Sequence, residues 1–153
     1  MGWFKRWWPA IAWAALISVF STGLFTSDNT SRVIVPILHW LFPHAVMATL
    51  LEIHHLLRKF AHFIEYFVLS LLILRGVRNG RSEMHLRWAL LTILIVASYA
   101  SLDEFHQRFV WGRTPALRDV LIDTGGGTVA QIAAALWLTG PRLNDQKSAG
   151  TGG

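Results

Sequence analysis

The sequence predicts an all-α integral membrane protein: a four-helix bundle with both termini inside and interfacial or re-entrant helices in the first external loop. Three observations lead there. Hydrophobic residues make up 53% of the 153-residue chain and charged residues only 15%, too apolar a balance for an ordinary soluble domain of this size. Four apolar stretches recur along the chain, each near the length of a bilayer crossing. Lysine and arginine crowd into the segments that four crossings would place on one side.

The first stretch, Trp7 to Ser27, runs 21 residues without a charge and follows Lys5 and Arg6. A signal peptide begins the same way, but this stretch is long for its apolar region and lacks an A-x-A cleavage site, so it is read as an uncleaved helix. Phe60 to Leu74, Trp88 to Leu102 and Thr124 to Gly140 follow, at 15, 15 and 17 residues. Each needs flanking polar residues to reach the roughly 20 required, which places those residues at the membrane boundary. The spans are therefore set at about 7–26, 57–75, 87–103 and 120–140, within one membrane domain covering 1–142. The Gly-rich, polar 143–153 is expected to be a disordered tail.

Between the first two spans, "VIVPILHWLF" and "AVMATLLEIHHLL" are apolar on one side at helical spacing. Neither is long enough to cross, and Pro36 and Pro43 are expected to break them. They are read as helices lying at the outer surface of the bundle.

Four crossings put the N-terminus, the 75–87 loop and the C-terminal tail on one side. That side holds Lys5, Arg6, Arg75, Arg78, Arg81, Arg87, Arg142 and Lys147 against Glu83 and Asp145, and basic loops stay cytoplasmic. The expected location is the bacterial cytoplasmic membrane. The net charge of +5 suits a membrane surface better than nucleic acid in a chain with eight tryptophans. With no cysteine, disulfides and thiolate chemistry are excluded. The seven histidines include no H-E-x-x-H and no i, i+4 pair on one face, so no metal is expected, and no cofactor motif is present.

Polar chemistry collects in two places. In "RKFAHFIEY", Lys59, His62 and Tyr66 follow 3 and 4 spacing along one helix face, with Glu65 on the next row. A helix starting near Leu56 would put Glu65 about 13 Å in, where an unpaired carboxylate costs about 2.5 to 3.5 kcal/mol or more. Glu65 is thus a functional candidate or an interhelical tether. In "SLDEFHQRFVWGRTPALRDVLID", Asp103 and Gln107 share a face at the end of the third span, as do Glu104 and Arg108; Asp119 and Asp123 open the fourth. The helix dipole favours Asp119 but disfavours Asp103 and Glu104 at a C-terminus. Basic partners are therefore expected for them among Lys59, Arg58, Arg113 and Arg118. These groups are expected to converge on one external pocket. In "DTGGGTVAQIAAALWL", Gly126, Ala130 and Ala134 form a small-xxx-small row for close packing.

This combination resembles the VanZ-like family. "RKFAHFIEY" is similar to its K-x-x-H-x-x-x-Y segment, "DEFHQRFVWGR" to its D-E-x-x-Q segment with a following arginine, and "DVLIDTGG" to its D-x-x-x-[ND]-x-x-G opening of the last helix. "FSTGLFTSD" is similar to the serine-rich exit of its first helix. Trp111, Ala116 and Ala130 stand where that family has a proline, a small polar residue and a second glycine. The resemblance implies a four-helix membrane protein of the cell envelope whose founding relative lowers susceptibility to the glycopeptide teicoplanin. It implies site residues Lys59, His62, Tyr66, Asp103, Glu104, Gln107, Arg113, Asp119 and Asp123.

Two kinds of function fit those residues. As an enzyme on a lipid-linked or cell-wall substrate, Lys59 and Arg113 hold a phosphate or carboxylate, Asp103 or Glu104 acts as base, and His62 or His106 as acid. As a binding or transport protein, the same pocket holds a membrane lipid headgroup, wall precursor or glycopeptide without turnover. A third reading makes the polar groups a structural network. The oligomeric state is left open.

Overall fold

The computed structural model describes residues 2–22, 26–109 and 116–139. It is all-α, with α1 (Trp3–Phe20), α2 (Ser27–Leu41), α3 (Met47–Arg78), α4 (Leu86–Gln107) and α5 (Leu117–Thr139). By length and composition α3, α4 and α5 can each cross a membrane. Lys5, Arg6 and four tryptophans dilute the apolar run of α1, which starts at Trp3 and stops at Phe20 instead of reaching Ser27. The expected tail, 143–153, lies outside the described residues, as does Arg113.

The region between the first two expected spans differs from expectation in two ways. Pro36 does not break its helix but sits inside α2, which continues past it to Leu41, forgoing the one backbone hydrogen bond that proline cannot donate. "AVMATLLEIHHLL" is not a separate element: it forms the first turns of α3, which continues unbroken to Arg78. The stretch has neither glycine nor proline between Met47 and Arg75, so nothing in its backbone chemistry stops the helix. At about 1.5 Å per residue, 32 residues span about 48 Å, well beyond a hydrocarbon core of about 30 Å. Helix α3 ends in a left-handed Asn79 followed by Gly80 at φ 80°, the pair that lets the chain turn back.

Three helices meet in the core. Ala10 and Ile17 of α1, Tyr66, Leu69 and Ile73 of α3, and Val96 and Ala100 of α4 form one buried cluster. The apolar exterior is equally informative: Leu90, Leu94, Leu121, Val129, Ile132 and Leu136 are all exposed, a hydrocarbon-facing surface that water would not tolerate over so large an area.

Polar tethers fix the helices where apolar packing alone would let them slide. The Trp13 indole donates to the Glu65 carbonyl at 2.9 Å, joining α1 to α3. The Tyr99 hydroxyl donates to the Ala14 carbonyl at 2.6 Å, leaving its oxygen to accept from Ser18 at 2.8 Å, so α1 is also tied to α4. Between α3 and α5, Ser70 donates to the Gly127 carbonyl and Gln131 donates to the Ser70 hydroxyl, at 2.9 and 2.7 Å. Each bond is made in apolar surroundings where the unpaired alternative is costly.

The small residues of α5 set how closely it approaches. A Cβ on Gly126 would run into the backbone carbonyl of Phe63, and one on Gly127 would meet Val96 at 2.7 Å. The backbones of α3 and α5 therefore touch at the level of His62 and Asp123, which brings their polar residues together.

Candidate functional site

Helix direction assembles the site. The N-terminal half of α3, the last turn of α4 and the first turns of α5 lie at one end of the bundle; Arg75, Arg78, Arg81 and Arg87 lie at the other. The first end holds a cleft of about 230 Å³ lined by Arg58, Lys59, His62, Glu104, Gln107, Asp119 and Asp123, with Ser27, His55 and Ile122. Lys59, His62, Glu104, Gln107, Asp119 and Asp123, singled out in the sequence, thus share one cavity. Cations lie on α3 and carboxylates on α4 and α5.

Lys59 pairs with Asp119 across the cleft, Nζ to Oδ1 at 3.8 Å, with side chains 48% and 42% exposed. So wet a contact is weak and readily exchanged. Asp123, one helical turn deeper, is 5% exposed, and its Oδ1 is buried without a hydrogen-bond partner among the described residues. His62, Asp103, Asp119 and Glu104 all lie within electrostatic reach of it.

His62 reaches the cleft while its Nδ1 lies 3.4 Å from Glu65 Oε2, one turn along α3. Glu65 itself does not line the cavity, and its approach to the ring is an electrostatic contact without hydrogen-bond geometry. Tyr66 is further removed. It is fully buried in the α1–α3–α4 core and outside the cleft lining, with Asp103, Asp123 and Glu65 within electrostatic reach.

Among the described residues, Asp103 and Glu104 accept from a hydroxyl, an amide and a main-chain N–H, while Arg113, one of the cations expected beside them, lies outside the described residues. Asp103 lies behind the cleft wall, where its Oδ2 accepts from the Ser21 hydroxyl at 2.7 Å and the Gln107 amide at 2.9 Å. Both of these donors are neutral. Glu104 Oε1 accepts the backbone N–H of Ala116 at 2.6 Å, capping the start of α5 from the end of α4. The dipole that disfavours Glu104 in its own helix favours it at the N-terminus of the next.

Helix α2 covers part of this end. Thr30 spends its hydroxyl proton on the Thr26 carbonyl at 2.9 Å, so its oxygen accepts from His54 at 3.1 Å and Arg58 at 3.2 Å. Arg58 thereby stands at the cleft rim as part of the α2–α3 contact. Ser21 and Ser27 are the contributors the motif spacing least emphasised; their signal is the serine-rich exit of the first helix. Among the described residues no group of three or more His, Asp and Glu is arranged to hold a metal ion.

Long apolar helices with hydrocarbon-facing exteriors, closing at one end over a cleft of mixed charge, define an α-helical membrane protein with a polar terminal site. The chain belongs to the VanZ/LLP1 family, whose model matches residues 4–138. No curated protein and no solved structure matches it.

Proposed function

We propose that this VanZ-like protein is a multi-pass protein of the bacterial cytoplasmic membrane whose outward-facing cleft binds the anionic headgroup of a lipid-linked cell-wall component. In this reading α1 is the fourth crossing, both termini are cytoplasmic, and α2 lies at the outer interface. The arginine-rich end at 75–87 supports the orientation. Counting about 20 residues back along α3 from Arg75 reaches His55, which supports placing Arg58 and Lys59 near the outer boundary and His62 about two turns inside it.

The observation that carries the proposal is the convergence of Arg58, Lys59, Gln107 and His62 on one cleft at that boundary. A phosphate displaces Asp119 from Lys59 at little cost, since the pair is exposed and long. Arg58 adds guanidinium donors suited to phosphate or carboxylate oxygens. Glu104, Asp119 and Asp123 then accept from sugar hydroxyls or from ammonium groups of the ligand. Sequestering or presenting a wall precursor in this way is the link to glycopeptide, and specifically teicoplanin, tolerance.

Turnover is a second reading, favoured by the His62–Glu65 pair. A carboxylate close beside an imidazole at the edge of a cleft suits general acid–base chemistry, with Glu104 or Asp123 as the base opposite.

Mass spectrometry of lipids and wall precursors co-purifying with wild type, Lys59→Gln and Arg113→Ala tests both readings. A phosphate-bearing lipid-linked saccharide retained by wild type and lost from Lys59→Gln is expected. Identical lipid profiles in wild type and Lys59→Gln would overturn the binding site. Conversion of the retained species to a new mass by wild type but not by His62→Gln would establish turnover. Teicoplanin susceptibility of cells expressing each form checks the physiological link.

A further inference from the structure

A second cavity lies at the opposite end of the bundle, far along α3 from the polar cleft. It is a groove of about 310 Å³ between α3 and α5, floored by Phe67, Leu71 and Leu74 on one side and Ala133, Ala134 and Leu138 on the other. Its volume falls at the lower end of the roughly 300 to 1,000 Å³ typical of ligand sites. Arg75 and Arg78 close its end and Trp137 its edge.

The groove has a simple origin in sequence. Positions 67, 71, 74, 75 and 78 fall on one stripe of α3 at helical spacing, so an apolar face runs straight into two guanidiniums. Opposite, α5 presents Ala133 and Ala134, too small to fill the space that Phe67 and Leu71 leave. Trp137 is 82% exposed beside it, where the aromatic belt of a membrane protein meets the headgroup layer.

We infer that this groove binds one anionic glycerophospholipid of the cytoplasmic leaflet, an acyl chain lying along Phe67, Leu71 and Ala133 and the phosphate held by Arg75 and Arg78. Charge complementarity selects this occupant. Arg78 spends its Nε and Nη2 on the carbonyls of Glu83 and Arg81, which anchors the guanidinium at the rim. Arg75 is exposed and makes no hydrogen bond or ion pair among the described residues. The adjoining loop adds Arg81 and Arg87 against Glu83 alone. A basic pocket between helices at a cytoplasmic surface is the chemistry that recognises acidic lipid headgroups, and an apolar slot leading from it suits a chain attached to that headgroup better than a free phosphate.

The leaflet rests on the orientation proposed above; the headgroup preference does not. Native mass spectrometry of the full-length protein released from bilayers of equal phosphatidylglycerol and phosphatidylcholine reads the preference directly. Wild type is expected to retain phosphatidylglycerol at least about tenfold over phosphatidylcholine, corresponding to about 1.4 kcal/mol. Arg75→Gln/Arg78→Gln brings the ratio to near one. Ala133→Phe, which fills the groove at an exposed position, lowers retention of both lipids. Lys59→Gln, at the other end, leaves the ratio unchanged. Equal retention by wild type, a preference that survives Arg75→Gln/Arg78→Gln, or its loss in Lys59→Gln would each overturn the assignment. So would a dimer mass abolished by Ala133→Phe, since the groove would then hold a second copy of the chain. Protease accessibility of the 75–87 loop, or labelling of a cysteine introduced into it, in sealed vesicles tests the leaflet separately.

Discussion

The Glu104 carboxylate accepts the Ala116 backbone N–H at 2.6 Å, so the last turn of α4 caps the first turn of α5. The bond thus ties the end of α4 to the start of α5. Glu104→Ala leaves that N–H without its acceptor and is expected to cost about 1 to 2 kcal/mol, the scale of a lost N-cap. Glu104→Gln keeps a carbonyl acceptor and is expected to lose less. Detergent-solubilised unfolding of both variants, with amide exchange at residues 116–120, measures the difference. Equal loss in the two would mean the charge of Glu104 matters more than its acceptor.

The Ser21 hydroxyl and the Asp103 carboxylate, 2.7 Å apart and buried, join the exit of α1 to α4. Hydrogen bonds to charged groups contribute about 1.5 to 3 kcal/mol. Ser21→Ala is expected to destabilise by that amount, and Ser21→Ala combined with Asp103→Asn by clearly less than the two single losses together. A double-mutant cycle on unfolding free energy reports the coupling. An additive result would show that Asp103 is held chiefly by Gln107.

Neighbouring glycines make a sharper steric test. An added Cβ at Gly126 collides with the Phe63 carbonyl, whereas one at Gly125 meets nothing within 4 Å. Gly126→Ala must push α3 and α5 apart and is expected to cost about 1 to 3 kcal/mol or more. Gly125→Ala relieves a poor helix former and is expected to be neutral or stabilising by up to about 1 kcal/mol. Thermal stability in detergent orders the two, and ligand co-purification shows whether spreading the helices also opens the cleft.

Which of these relationships a sequence can reveal depends on what carries them. Helix periodicity put Lys59 and His62 on one face and motif spacing set Asp119 and Asp123 beside them, because side-chain rows follow directly from 3.6 residues per turn. Tyr66 shares that row yet is buried: one turn on from His62, α3 passes behind α1, where Leu69 and Ile73 take over. A row of side chains does not announce which neighbour covers it. The donors to Asp103 and Glu104 among the described residues illustrate a second limit. One carboxylate is held by a serine 82 positions away and the other by a main-chain N–H, and a backbone donor leaves no residue-type signal at all. The length of α3 was obscured differently. Scanning for about 20 apolar residues cut off turns that hydropathy excludes from the membrane but that helix propensity continues.

Lys59 and Asp119 separate function from stability. Their contact is 3.8 Å long between half-exposed side chains, so it contributes at most about 1 kcal/mol to folding. Lys59→Gln is therefore expected to leave unfolding nearly unchanged while abolishing retention of an anionic headgroup. The swapped pair Lys59→Asp/Asp119→Lys keeps the ion pair and the net charge but moves the cation from α3 to α5. If the site is a binding cleft, geometry matters and the swap stays inactive; if the pair is only a tether between helices, the swap restores whatever Lys59→Gln lost. Parallel measurements of unfolding and headgroup retention on wild type, Lys59→Gln and the swap distinguish the two, since a tether moves both quantities together and a binding lysine moves only one.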